Sequence, residues 1–164
     1  MRCVAVAVLS LTFLAGCQAA TTELTDEQKA EIAAEVNAIN TEFWDAWRQG
    51  DFDRGMSYYY NSPDLALAYE GVVDYGYAEI EAKYRPAMAN VASQDIAITS
   101  SETMVLAPDV VCTMDAGTYA VTDTNGVTGP QSAFAVTLIW VLRDGEWKIH
   151  IGHESMPSPE TEQM

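Results

Sequence analysis

A long amphipathic helix is predicted near the start of the chain. Apolar residues three or four positions apart lie on one face of a helix, and five follow in succession here: Ile32, Val36, Ile39, Phe43 and Trp47. Residues 25–28, Thr-Asp-Glu-Gln, fit a capping box that begins this helix, and Gly50 ends it. A short second helix is predicted over 53–60.

After Leu65 the pattern changes to the alternation of apolar and polar residues that is typical of strands. Two short segments around Glu70 and Gly71 predict a hairpin, and a third helix is predicted from Tyr77 to about Tyr84. Four longer strands follow, joined by turns that include Asn-Gly and Asp-Gly pairs: 96–106, 110–122, 127–142 and 147–153. Helices followed by a long meander predict an α+β fold, in which a curved antiparallel sheet covers the first helix.

The N-terminal segment has the pattern of a signal peptide. Arg2 precedes about a dozen apolar residues, a run too short to span a bilayer. The run ends in Leu14-Ala15-Gly16-Cys17, which resembles the lipobox of bacterial lipoproteins. The resemblance implies cleavage before Cys17, lipid attached to this cysteine, and anchoring of the mature protein in a membrane.

Gln18 follows the cysteine where an Asp would, in enterobacterial lipoproteins, signal retention at the inner membrane. The resemblance therefore implies the outer membrane, with the domain facing the periplasm. An ordinary secretory signal, cut after Ala19 or Ala20, is the alternative.

Length and composition are those of one globular domain. The chain has 164 residues, of which 49% are hydrophobic. We expect four segments: a signal peptide over 1–16, a tether over 17–24, a folded domain over 25–156 and a polar tail over 157–164. The formal net charge of −16 argues against nucleic acid as a partner, because the protein and the phosphate backbone repel each other.

Cysteine usage agrees with an exported lipoprotein. Cys3 leaves with the signal peptide and Cys17 takes lipid, so Cys112 remains without a partner for an intrachain disulfide. Cys112 follows two valines in a predicted buried strand, which favours an inert buried thiol over a reactive nucleophile.

Three stretches, in this order and spacing, resemble one known family: residues 43–51 (FWDAWRQGD), Gly71 with Gly76, and residues 140–149 (WVLRDGEWKI) followed by His153. The chain is similar to the SnoaL-like branch of the nuclear-transport-factor-2-like superfamily. The resemblance implies a cone in which a strongly bent sheet wraps the first helix and leaves a pocket at its open end. It also implies that two copies could pair through the outer face of the sheet. Members include enzymes, dimerisation modules and proteins of unknown role, so the fold alone does not decide the function.

The residues of ketosteroid isomerase, one enzyme of this superfamily, are not matched. Its oxyanion-binding Tyr corresponds to Phe43, which has no hydroxyl group. Its general base corresponds to Ala68, although Glu70 lies two positions further on and faces the same side. The resemblance therefore does not extend to that enzyme's mechanism.

Regular alternation along the last strand predicts that Trp147, Ile149, Ile151 and His153 point inward and that His150 and Glu154 point outward. An inward His153 is a candidate acid or base in a pocket with little water, and Glu70 is a second, weaker candidate. We expect the pocket walls to include the rings of Trp44, Tyr59, Tyr69 and Trp140.

The sequence supports no metal or other cofactor site. His150 and His153 are three positions apart on a strand and project to opposite faces, so they do not share one ion. Calcium loops, phosphate-binding glycine loops and the Gly-x-Ser-x-Gly elbow are absent from the sequence.

Three functions remain open. The first is binding of a small, largely apolar molecule by an envelope lipoprotein. The second is an isomerase, cyclase or dehydratase in which His153 or Glu70 moves a proton. The third is an interaction module with a vestigial pocket, and a homodimer is compatible with all three.

Overall fold

The computed structural model describes residues 23–157. The predicted signal peptide, the lipidated Cys17, most of the predicted tether and the polar tail after residue 157 lie outside the described residues. Within residues 23–157, none of the helices combines the length and the apolar character that a bilayer-spanning segment needs.

Three helices form where the sequence places them: α1 (Asp26–Arg48), α2 (Phe52–Ser57) and α3 (Tyr77–Met88). The capping box is confirmed, because the backbone N–H of Gln28 donates to Thr25 Oγ1 at 3.2 Å and the N–H of Thr25 donates to Gln28 Oε1 at 2.9 Å. Gly50 follows α1 with φ +66°, a conformation in which glycine carries no steric cost. The second helix is shorter than predicted and ends at Ser57.

Six strands form one curved sheet in the order β2-β1-β6-β5-β4-β3: β1 (Ala66–Tyr69), β2 (Val72–Tyr75), β3 (Val91–Ala107), β4 (Val110–Asp123), β5 (Ser132–Arg143) and β6 (Glu146–Ser155). The predicted sheet was antiparallel throughout, whereas β1 pairs with β6 in parallel. A hairpin turn fixes the direction of two strands that follow each other in sequence. No such turn joins β1 to β6, so periodicity left their relative direction open.

A β-bulge in β6 changes which residues face the core. Trp140 pairs with Ile149, but the preceding residue, Ile139, pairs with Ile151, so His150 is an extra residue in β6. An extra residue reverses the alternation beyond it. The prediction that Ile151 and His153 point inward is therefore wrong: both are exposed.

The core lies between α1 and the inner face of the sheet. Val36 and Phe43 of α1 pack with Val111, Trp140 and Ile149 of the sheet, and each of these five side chains is buried. The predicted placement of α1 against the sheet is thus confirmed.

Candidate functional site

An apolar cavity of about 440 Å³ opens between α1, α3 and the inner face of the sheet. Its walls are mostly hydrophobic and aromatic, and they include Trp44, Ile80, Met88, Phe134, Val136 and Leu138. Cavities that bind small molecules have this size and this predominantly apolar lining.

Four tyrosines and Glu154 bring most of the polar side chains to the cavity, and Gln94 and His153 also border it. Tyr69 of β1 lies directly beside Glu154 of β6 in the parallel pair. Tyr59, Tyr84 and Tyr119 line the same cavity from the segment after α2, from α3 and from β4. Burial is the main cause that raises the pKa of all four tyrosines, and it raises those of Tyr69 and Tyr84 to about 12. These hydroxyl groups are therefore neutral at physiological pH.

Two of these hydroxyl groups have weak acceptors. The Tyr69 hydroxyl donates to Met156 Sδ at 3.4 Å, and the Tyr119 hydroxyl donates to the same sulfur at 3.3 Å. A thioether sulfur is a poor hydrogen-bond acceptor. A ligand with a better acceptor could therefore compete for both hydroxyl groups.

Glu154 is the acidic side chain of the cavity. Burial raises the pKa of this carboxyl to about 7, and the negative charge of Glu70 adds to the rise. At neutral pH the carboxyl is consequently divided between its charged and neutral forms, so it is equipped both to accept and to donate a proton.

Gly152 leaves room for a neighbouring side chain of the cavity wall, that of Leu67. A Cβ atom at this position would lie 2.8 Å from Leu67 Cδ2 and 3.5 Å from Leu138 Cδ2. The position lines the cavity two residues before Glu154, and the missing side chain lets the Leu67 side chain pack closely against this strand.

Three of the predicted aromatic wall residues line the cavity: Trp44, Tyr59 and Tyr69. Trp140 does not. It is fully buried in the core, packs edge-on against Phe43 and donates its Nε1–H to Thr113 Oγ1 at 3.0 Å. Trp140 was predicted to form part of the pocket wall, but it lies in the core, where packing fills the space.

The two predicted acid–base residues, His153 and Glu70, lie at the margin of the cavity and not inside it. His153 borders the cavity but its side chain is exposed, because the bulge at His150 turns it away from the core. Glu70 is exposed in the β1–β2 turn and acts on the cavity through its charge. Phe43 and Ala68, at the ketosteroid isomerase positions, supply no polar side-chain group.

Sequence reasoning missed two acidic residues. Glu154 was predicted to face outward, and no residue pattern in β6 signals the bulge that turns it inward. Asp115 is 2% exposed, and its Oδ2 accepts hydrogen bonds from Asn40 Nδ2 at 2.9 Å and from Trp44 Nε1 at 3.0 Å. A signal for Asp115 did exist. Alternate residues of a strand face the same side, so Asp115 lies on the same face of β4 as the buried Val111 and Thr113.

The Asp115 network fixes one wall of the cavity. The indole of Trp44 lines the cavity, and its N–H is held by Asp115 from the sheet. The position of this ring is therefore set by a buried hydrogen bond that joins α1 to β4. Within residues 23–157, no group of three or more His, Cys, Asp and Glu side chains is placed to hold a metal ion.

Comparison with known proteins agrees with this architecture. The sequence profile of the SnoaL-like domain matches residues 36–159. No curated protein sequence matches the chain significantly.

Several solved structures share the fold. An NTF2-like family protein from Streptomyces avermitilis is 19% identical, with a TM-score of 0.67 over 79% of this chain and 98% of that one. An NTF2-like superfamily protein from Salmonella enterica is 18% identical, with a TM-score of 0.64 over 82% of this chain and 94% of that one. A type 2 hexachlorocyclohexane dehydrochlorinase is 14% identical, with a TM-score of 0.65 over 82% of this chain and 90% of that one. The chain belongs to the SnoaL-like family and has the NTF2-like fold.

Proposed function

We propose that this protein binds a small, largely apolar molecule in the cavity between α1, α3 and the sheet. The observation that carries the proposal is the cavity itself, which has about 440 Å³ of space and a lining of aromatic and aliphatic side chains. Apolar walls supply affinity through burial, and the few polar groups orient the ligand. Glu154 and the hydroxyl groups of Tyr69 and Tyr119 are those groups here.

An uncharged fluorophore, phenylnaphthylamine, tests the proposal. We expect one molecule to bind per chain with enhanced fluorescence.

Val136→Phe, which adds a ring to the cavity wall, should weaken binding at least about tenfold. Val127→Phe is the matched control, because Val127 is 64% exposed on the β4–β5 connection. Val121→Phe fills the cavity from another strand. Equal binding by all of these variants would refute a site in the cavity.

A second candidate function is acid–base catalysis, and the raised pKa of Glu154, about 7, favours it. In this proposal the Glu154 carboxylate takes a proton from the carbon atom next to a carbonyl group of the bound molecule, and the electron pair of the broken C–H bond moves into an enolate. The carboxyl that results then returns the proton to a carbon atom of that enolate. The residue replaces His153 and Glu70 in this role, because its side chain faces into the cavity.

Proton exchange tests the catalytic proposal without knowledge of the substrate. The ketone tetralone, incubated with the protein in deuterated water, should exchange the hydrogens next to its carbonyl group faster than in buffer alone. Glu154→Gln should remove the acceleration, whereas Glu70→Gln should retain most of it. A rate equal to that of buffer with the unaltered protein would exclude this activity for ketones of that size.

We also propose that the protein is an outer-membrane lipoprotein that faces the periplasm. The support is the lipobox that ends in Cys17 and the Gln18 that follows it. Labelled palmitate should be incorporated into the unaltered protein, and Cys17→Ser should abolish both the label and the recovery in outer-membrane fractions. Cys112→Ser is the matched control and should retain both. Labelling of the Cys17→Ser variant would contradict the proposal.

We also propose that the protein is a homodimer in which two copies pair through the outer face of the sheet. One continuous row of paired residues crosses all six strands on this face: Tyr75, Ala66, Ile151, Ile139, Cys112 and Met104. Tyr75 is 64% exposed and Ile151 is 45% exposed. Exposed apolar surface across the face of a sheet is typical of an interface.

Light scattering coupled to size-exclusion chromatography tests the pairing. The purified protein should have twice the mass of the chain, and Ile151→Lys should yield the single chain because a charge would be buried in the interface. Val127→Lys, away from this face, should remain a dimer. A single-chain mass for the unaltered protein would contradict the proposal.

A further inference from the structure

The cavity has an unbalanced set of charges. Within residues 23–157, the side chains that line it include Glu154 but neither lysine nor arginine. A second carboxylate, Glu70, stands close enough to Glu154 to influence its ionisation. The walls present Trp44, Phe134 and several tyrosine rings, whose faces carry partial negative charge.

We infer that the ligand of this cavity is an organic cation, a small apolar amine or ammonium compound whose positive group pairs with the Glu154 carboxylate. The inference rests on the proposed function, because it specifies the chemical class of the molecule that the cavity binds. The apolar part of such a ligand fills the aromatic walls, and its nitrogen lies toward β1 and β6, where Tyr69 and Glu154 are neighbours.

Ionisation of Glu154 inside the cavity is costly unless a positive charge lies beside it. An ionised carboxyl group in an apolar cavity has lost its hydration, and a positive group from the protein would normally compensate it. Among residues 23–157, the lining holds no lysine or arginine, and its one histidine, His153, has an exposed side chain that the bulge turns away from the core. A ligand ammonium group would supply the missing charge, and aromatic faces around it would add cation–π attraction.

Ligands of other charge fit less well. An anionic ligand would meet the repulsion of Glu154 and Glu70, and no lysine or arginine of the described chain lines the cavity to offset it. A neutral alcohol or ketone could accept hydrogen bonds from the neutral carboxyl and from the hydroxyl groups of Tyr69 and Tyr119, but it would leave the ionised carboxylate without a compensating charge. The cation is the class of ligand for which the ionised form becomes favourable.

The titratable groups that face Glu154 permit a clear pH dependence. They come from β1, the β1–β2 turn, the segment after α2, α3 and β4, and they are Tyr69, Glu70, Tyr59, Tyr84 and Tyr119. His153, beside Glu154 in β6, also borders the cavity with its exposed side chain. Burial and neighbouring negative charge raise the pKa of Glu154 to about 7, whereas the tyrosines stay neutral far above that pH. Cation binding favours the ionised carboxylate, so affinity should rise with pH until the free protein has lost this proton.

Three rigid probes of nearly equal shape test the inference by calorimetry: adamantylmethylamine, adamantylmethanol and adamantanecarboxylate. At pH 8 we expect the amine to bind the full chain about tenfold to a hundredfold more tightly than the alcohol, the range for a hydrogen bond to a charged group. The carboxylate should bind most weakly. At pH 6, binding of the amine should release close to one proton per chain, measured in buffers of different ionisation enthalpy.

Glu154→Gln should remove the preference for the amine and its proton release while retaining the affinity for the alcohol. Glu70→Gln, which lies outside the cavity, should retain the preference. Thermal unfolding of each variant confirms that it is folded, and the proton release is measured on the unaltered chain in any case.

The outcomes separate the inference from the proposed function. If the alcohol binds the unaltered protein at pH 8 as tightly as the amine, the inference is wrong and the apolar binding site remains. If the amine binds without releasing a proton at pH 6, pairing with Glu154 is wrong. If none of the three probes and no phenylnaphthylamine binds, the proposed function fails and the inference fails with it.

Discussion

Glu154 determines the charge of the cavity and imposes a cost on the fold. Its ordinary pKa is 4.5, and burial together with Glu70 raises it to about 7 in the folded protein. The folded state therefore holds this proton more tightly than the unfolded state. The contribution of this tighter proton binding to the free energy of unfolding is fully present below about pH 4 and is lost as the pH rises through about 7.

Glu154→Gln should make the protein more stable at alkaline pH. Because each pKa unit corresponds to about 1.4 kcal/mol, the difference between the two pKa values gives a gain of up to about 3 kcal/mol in the free energy of unfolding at pH 8. At pH 4 the gain should vanish, since the carboxyl is neutral in both states. Urea denaturation at several pH values measures the difference, and a variant no more stable than the unaltered protein at pH 8 would contradict the raised pKa.

Asp115 is a buried acidic residue with a structural task. Asp115→Ala would leave the Trp44 indole N–H and the Asn40 amide without their acceptor in a buried site. We expect a loss of about 2–4 kcal/mol in the free energy of unfolding, measured by urea denaturation. Asp109→Ala is the control, since Asp109 pairs with Arg143 at 3.4 Å on the surface and should cost less than about 0.5 kcal/mol. Equal losses would exclude this task for Asp115.

At the scale of elements, local patterns predicted the helices and hairpins well. The capping box at Thr25, the apolar spacing along α1 and the glycine turns between long strands are encoded by residues close in sequence. The bulge at His150 is not, because it results from the pairing of β6 with its neighbours. One extra residue was therefore enough to exchange His153 for Glu154 at the candidate site.

A second irregularity brings β3 and β4 unusually close together. The register shifts in β3 between Ile98 and Ser100, opposite Gly117 of β4. An ideal Cβ atom at Gly117 would lie 2.1 Å from the backbone oxygen of Ala97. The missing side chain thus permits the close approach of two strands where β3 changes register.

Gly117→Ala should be strongly destabilising, because the atom it would strike belongs to the backbone and does not rotate away. We expect a loss of about 3 kcal/mol in the free energy of unfolding, measured by thermal or urea denaturation. Gly129→Ala is the matched control: its Cβ atom would lie 3.7 Å from the nearest atom, Val121 O, an ordinary contact. The control should change stability by less than about 0.5 kcal/mol. A tolerated Gly117→Ala would show that the strands can separate at little cost.

For the whole molecule, the sequence predicted the family and the packing of the first helix against the curved sheet, but not which residues line the cavity. Trp44, Tyr59 and Tyr69 were assigned to the cavity by their residue type and position, and all three line it. Trp140 was assigned by the same reasoning but lies in the core. Which aromatic residues border an empty space depends on how α1 and α3 sit on the sheet, and that arrangement involves contacts far apart in sequence.

The net charge of the whole chain provides the last prediction. A formal charge of −16 surrounds a cavity that, by our inference, takes a cation, so the field of the protein should draw the ligand in. This attraction extends about 30 Å at 0.01 M ionic strength but only about 8 Å at 0.15 M. Stopped-flow mixing, followed by the fluorescence of Trp44 and the other tryptophans, measures the association rate.

The association rate constant of adamantylmethylamine should fall about tenfold between about 0.01 M and about 0.15 M salt. Adamantylmethanol carries no charge, so its rate should change less than about twofold over the same range. Glu70→Gln removes one negative charge beside Glu154 and should slow the amine at low salt without affecting the alcohol. If both probes responded equally to salt, the charge of the protein would have no part in the capture of the ligand. The acidic composition would then be a property of the surface alone.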